Sequence, residues 1–275
     1  TGDSSPYALS CNGVGDPGDA LETVKCRMHD GSNYSDVKSD TYTADNTAPT
    51  GTVLGFGTIA TTSIVVTASG ASDAGCSNVH EISPYYIDRT APTAANSGWG
   101  LGSWTNNSPA LSKNTQYTYR ARVRDGILNT SGYTSTQSKY TLAEAPASAP
   151  IVDNPSGSSL DVNPSSGIGN PSSTLYAIDC TGANCPANGW IKTDGTFTSS
   201  AQWQTDSTWG TIPVIELDAG TEYCFQSKAK NGDNVETSLS GSACGTTSTA
   251  PDAPTIAVDY NFTYPLNAEL GAVDV

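Results

Sequence analysis

One pattern occurs twice in this chain and limits what it can fold into. Leu217, Thr221, Tyr223 and Gly232 stand at the same mutual spacings as Leu111, Thr115, Tyr117 and Gly126. After each tyrosine, apolar or small residues take every second place: Tyr119, Ala121 and Val123 in one copy, Phe225, Ser227 and Ala229 in the other. Period-two alternation marks a half-buried strand, and the Gly-containing turn that follows marks a hairpin.

Further landmarks repeat with the same rhythm. A short strand precedes the hairpin, as Pro6-Tyr7-Ala8-Leu9-Ser10-Cys11, Pro84-Tyr85-Tyr86-Ile87-Asp88-Arg89 and Leu175-Tyr176-Ala177-Ile178-Asp179-Cys180. The hairpin turns are His29-Asp30-Gly31, Arg124-Asp125-Gly126 and Lys230-Asn231-Gly232, and an Ala-Pro joint follows each, at Ala48-Pro49, Ala145-Pro146 and Ala250-Pro251. The turn glycines recur at intervals of roughly 100 residues, the length of one β-sandwich domain. Proline lacks the N–H a central strand needs, so it suits the first residue of the strand that opens the next unit.

Composition agrees. The 275 residues include 27 Gly, 16 Pro and a single Met, and no window carries apolar residues at i, i+3, i+4 and i+7 over three turns. Turn formers dominate, so the expected class is all-β with essentially no helix. The net charge is −15 with 12 Lys plus Arg. No basic cluster exists to neutralise phosphates, which argues against nucleic-acid binding. No stretch is long and apolar enough to span a membrane. Seven Cys, none in a zinc-type pair of Cys-x-x-Cys motifs, point to disulfides, an oxidising compartment and a secreted, cell-surface location.

The Leu and Tyr spacing resembles the tyrosine corner of fibronectin type III and bacterial immunoglobulin-like modules, in which the ring packs inside and the hydroxyl ties down the preceding corner. The resemblance implies tandem antiparallel sandwiches, with Leu111, Tyr117, Leu217 and Tyr223 as structural corners, the short strand as strand C and the hairpin as strands F and G. It divides the chain into a partial sandwich over 1–46, lacking strands A and B, complete domains over 47–143 and 144–249, and strands A and B alone over 250–275. The span from Pro254 to Val275, continued from Thr1 to Tyr7, matches the Pro150-to-Tyr176 span of the third unit to within a few residues. Two half-domains of this kind fit three situations: a filament or pilus-like polymer joined head to tail by β-strand complementation, one window of a longer array, or a fragment with frayed ends. In the polymer, Ile256, Val258, Tyr260, Phe262, Leu270 and Val273 form the interface that completes residues 1–46 of the next subunit.

Chemistry has few candidates. His29 and His80 have no ligand or catalytic partner at useful spacing, and the serines have no neighbouring base, so no catalytic residue and no organic cofactor is expected. Asp45 and Asn46 stand at an acidic joint where calcium could bind, the alternative being a plain turn. The disulfide expectations are Cys11–Cys26, Cys180–Cys185 and Cys224–Cys244, leaving Cys76 unpaired and, by default, buried, with an intermolecular bond as the alternative. Asn33, Asn106, Asn129 and Asn261 open sequons and are glycosylation candidates. The five Trp suit core or corner packing, with a carbohydrate platform as the alternative. The expected function is a non-enzymatic structural or adhesive surface protein whose partner is itself, or the neighbouring modules of a longer chain, possible glycans aside. The competing reading is a spacer or carbohydrate-binding region of a larger secreted enzyme or multidomain adhesin.

Overall fold

The structure, a computed structural model, describes residues 18, 20–27, 32–33, 36, 38–187 and 189–249. Its first element is a hairpin of β1 (Ala20–Cys26) and β2 (Lys38–Ala44), paired antiparallel from Ala20 opposite Ala44 to Cys26 opposite Lys38. Among the described residues this ribbon has no third strand.

Seven strands follow: β3 (Val53–Ile59), β4 (Ile64–Ser69), β5 (Tyr85–Ala91), β6 (Ala95–Gly100), β7 (Ser103–Asn106), β8 (Gln116–Val123) and β9 (Gln137–Tyr140). They form one sheet in the order β3-β4-β7 and another in the order β6-β5-β8-β9. The alternation along β8 turns Tyr117, Tyr119, Ala121 and Val123 inward, while Ile64, Val66 and Ala68 of β4 face them from the other sheet. Phe56 and Trp104 meet the Tyr119 ring edge-on, with centroids 5.9 and 6.1 Å away. Edge-to-face contacts of this kind exploit the ring quadrupole and fix the two sheets in register.

This core also holds a polar pair. Arg89 and Asn106 are 3% and 1% exposed. The Arg89 guanidinium donates to Asn106 Oδ1, Thr93 O and Thr93 Oγ1, and the Asn106 amide nitrogen donates to the Tyr119 hydroxyl at 2.8 Å. Burial pushes the Tyr119 phenol above its ordinary pKa, opposed by the Asn106 hydrogen bond and the Arg89 charge. The sequon at Asn106 is therefore closed to a glycan in the folded protein: its nitrogen is buried and already bonded.

The next unit repeats the plan with β10 (Ile151–Asp153), β11 (Leu160–Asn163), β12 (Leu175–Thr181), β13 (Gly189–Ile191), β14 (Phe197–Thr198), β15 (Gln204–Thr205), β16 (Ile212–Val214), β17 (Glu222–Lys230) and β18 (Ala243–Thr246). The sheets run β10-β11-β16 and β14-β13-β12-β17-β18, with β15 also paired to β12. Leu160, Val162, Ile178, Ile191, Val214 and Phe225 fill the space between them. One helical turn, α1 (Asp206–Trp209), departs from a purely β chain. Thr205 caps it, and the turn exists to seat Trp209, which is 3% exposed and donates its indole N–H to Tyr176 O at 2.8 Å.

Both corners close in the same way. Tyr117 receives the Ser112 N–H on its hydroxyl at 2.8 Å, and Tyr223 receives the Asp218 N–H at 3.0 Å. Leu111 and Leu217 are buried beside them.

Candidate functional site at the joints

The loops between β4 and β5 and between β8 and β9 lie at the end of the middle sandwich that meets the linker after β2. Asp45 of that linker is 3% exposed. Its Oδ1 accepts the Thr47 N–H, and its Oδ2 accepts both the N–H and the hydroxyl of Ser77. Its backbone carbonyl accepts the Asn129 amide at 2.6 Å. Gly75 is needed for this approach, since a Cβ there would stand 2.1 Å from Asp45 Oδ1.

Two more carboxylates reach the same place. Asp125 is fully buried, and its Oδ1 accepts the N–H groups of Ile127 and Asn129 at 3.0 and 2.8 Å. Asp73 Oδ1 accepts the Gly75 N–H. The Oδ2 atoms of Asp73 and Asp125 are buried without a hydrogen-bond partner. One carboxylate oxygen from each of Asp45, Asp73 and Asp125 lies within 4.8 Å of the other two. No described cationic side chain pairs with Asp73 or Asp125. At that spacing and an effective dielectric near 20, each pair of like charges repels by about 3.5 kcal/mol.

The joint between the two complete sandwiches is built from amides. Asn231 Oδ1 accepts the N–H groups of Asp233 and Val235, while its Nδ2 donates to Thr141 O in the linker. Asn114 accepts the Gly232 N–H and donates to Thr174 Oγ1. Asn170 takes the Glu144 N–H and returns a bond to the Glu144 carbonyl. Asp233 accepts the Tyr140 N–H and pairs with Lys139 at 3.2 Å, and Lys113 pairs with Glu144 at 2.6 Å. Gly232 is again a close approach, its missing Cβ 2.4 Å from the Tyr140 ring. Every polar group named at this joint has a partner.

The outward face of each larger sheet carries stacked cations and rings. In the middle sandwich Arg122 lies over Tyr86, Trp99 and Tyr133, and Arg124 over Trp99. In the next, Lys228 lies over Trp190 and Trp203, and Lys230 over Trp203. Trp99, Trp190 and Trp203 therefore lie on the outward face, each covered by a cation, while Trp104 and Trp209 pack inside.

The structure places the remaining sequence candidates as follows. Asn46 is exposed. Asp73 and Asp125 were not singled out as ligands from sequence; the signal available was that Asp125 and Asn231 follow equivalent strands yet differ in charge. Cys180–Cys185 and Cys224–Cys244 are bonded. Cys76 is free, and the expectation of burial is overturned: it is exposed in the bend of the β4–β5 loop. The Asn129 amide is committed to Asp45, so this sequon too is engaged, whereas Asn33 is exposed. His80 shapes its loop by accepting the Ile82 and Ser83 N–H groups on Nδ1. Cys11, the side chain of Cys26, Asn261 and the interface candidates from Ile256 to Val273 lie outside the described residues.

No family model matches the sequence. No curated protein matches it. Among solved structures it is similar to a segment of two fibronectin type III domains from chicken tenascin, at 14% identity over 74% of this chain and 99% of that one, with a TM-score of 0.43. It is also similar to the FN1–FN3 domains of chicken CNTN1, at 13% identity over 82% of this chain and 78% of that one, with a TM-score of 0.34. The strand order of the structure itself, three strands facing a larger antiparallel sheet with a tyrosine tied back to the corner before it, is that of fibronectin type III-like and immunoglobulin-like β-sandwiches.

Proposed function

We propose that this chain is a non-enzymatic structural or adhesive protein of the extracellular surface, a series of sandwiches stiffened at its joints, whose N-terminal hairpin is completed by strands from residues 250–275 of a second copy. The observation that carries this reading is the β1–β2 ribbon, seven residue pairs long, in the stretch that the sequence reads as a sandwich lacking strands A and B, which residues 250–275 match in length. Strands supplied by another chain can pair with the free edges of such a ribbon through main-chain hydrogen bonds. The two disulfides suit an oxidising compartment. No described helix is long and apolar enough to cross a membrane.

The test is complementation by a peptide. A chain shortened before Pro251 is mixed with a fluorescent peptide of residues 250–275. Saturable binding, together with protection of the Lys25 and Lys38 region from trypsin, supports the proposal. Absence of binding overturns trans complementation and favours a longer array in which the neighbouring module supplies the strands.

A further inference from the structure

We propose that Asp45, Asp73 and Asp125 bind one calcium ion, which fastens the linker after β2 to the loops of the middle sandwich. Asp125 and Asn231 sit at the same point after β8 and β17, each 106 residues apart like the glycines that follow them, Gly126 and Gly232. Each accepts two N–H groups on Oδ1, from residues two and four positions on. Each loop also closes with a backbone N–H donated to the carbonyl four positions on, Asp125 to Asn129 and Asn231 to Val235. Leu128 and Asn234 then take matching left-handed backbone conformations, with φ of 77° and 61°.

Only the second side-chain atom differs. In Asn231 it is an NH₂ that donates to Thr141 O and so ties the preceding linker down. In Asp125 it is an oxygen, fully buried and unpartnered, on a carboxylate that brings one oxygen within 4.8 Å of oxygens of Asp45 and Asp73. At the second joint Asn231 makes the tie; at the first, Asn129 Nδ2 donates to the Asp45 carbonyl, and an ion coordinated by carboxylate oxygens from both sides would add a second tie there. The donors are all hard oxygens, from three separate loops, as calcium favours. Their mutual spacing, within 4.8 Å, fits the roughly 5 Å spanned by two calcium–oxygen bonds end to end. Magnesium binds with shorter bonds in strict octahedral geometry and sheds water reluctantly, which suits an irregular three-loop site poorly.

Calorimetric titration of the full chain with calcium chloride tests this, alongside melting curves in EDTA and in calcium. The wild type should show one saturable site with Kd between about 10⁻⁴ and 10⁻³ M, in the range of extracellular calcium modules, and a higher Tm in calcium than in EDTA. Asp125→Asn installs the residue found at position 231 and should weaken binding at least tenfold; Asp73→Asn should do likewise. In EDTA, Asp125→Asn should melt at or above the wild-type temperature, because one of three crowded charges has gone. Asp153→Asn, on the exposed β10, should bind as the wild type does. Equal melting of the wild type in calcium and EDTA, calcium binding by Asp125→Asn at wild-type strength, or equal affinity for magnesium would each overturn the proposal.

Discussion

Asn231 Nδ2 donates to the carbonyl oxygen of Thr141 at 3.1 Å, a buried hydrogen bond between residues 90 positions apart that crosses from one sandwich to the linker of the other. The same side chain holds its own loop through Asp233 and Val235. Asn231→Asp keeps the loop bonds and removes the donor, leaving an anion against the Thr141 carbonyl. A buried acceptor deprived of its donor costs about 1–3 kcal/mol. Urea denaturation should show that loss, and Asn231→Ala a similar or larger one; an unchanged midpoint for both would mean that the joint contributes nothing to stability.

Tyr117 and Tyr223 should each be sensitive to the loss of a single oxygen. Tyr117→Phe leaves the Ser112 N–H without its acceptor and Tyr223→Phe does the same to Asp218. Each ring stays in the core, so the packing is kept and only the hydrogen bond is lost. The expected cost is about 1–2 kcal/mol per substitution, or a fall in Tm of a few degrees by calorimetry.

The two disulfides should differ in worth. Cys224 and Cys244 are 20 positions apart and join β17 to β18, whereas Cys180 and Cys185 are 5 apart. Closure entropy grows with loop length, giving about 3 kcal/mol for the first and about 2 for the second. Paired Cys→Ala variants, compared under oxidising conditions, should keep that order; the reverse order would show that native packing outweighs loop closure here.

Asp179 gives the third sandwich a pH dependence. Burial raises its carboxyl pKa, only partly offset by the charge of Lys228. The folded state therefore holds the proton more tightly than the unfolded chain, and the group favours folding at low pH, an effect lost as pH rises through the folded-state pKa, above about 4. Asp179→Asn carries no such charge. It should stabilise the protein at pH 7 and have little effect at pH 3, as read from melting curves at the two pH values.

The fold class was legible because the alternation along Tyr117–Val123 and Tyr223–Ala229 is local, and because turn formers punctuate it. Other features depend on distance. Asp73 and Asp125 join Asp45 only when two loops fold over the linker, and the one sequence signal, the charge difference between Asp125 and Asn231 in equivalent loops, does not name the partners they meet. Asn106 reads as a surface sequon, yet it ends β7 on an inward position where Tyr119 and Arg89 need a polar partner. Cys76 reads as buried because thiols usually are, while its place in the β4–β5 loop leaves it exposed. Trp99 and Trp190 read as core residues, but the outward cations Arg122, Arg124 and Lys228 give their rings a place on the sheet's other face. Local periodicity specifies which face a residue takes; long-range contacts specify what it meets there.

The most direct test of the account is negative-stain electron microscopy of the purified chain beside a variant shortened before Pro251. Strand complementation predicts head-to-tail filaments from the full chain and single particles from the shortened one. Single particles from both would contradict it.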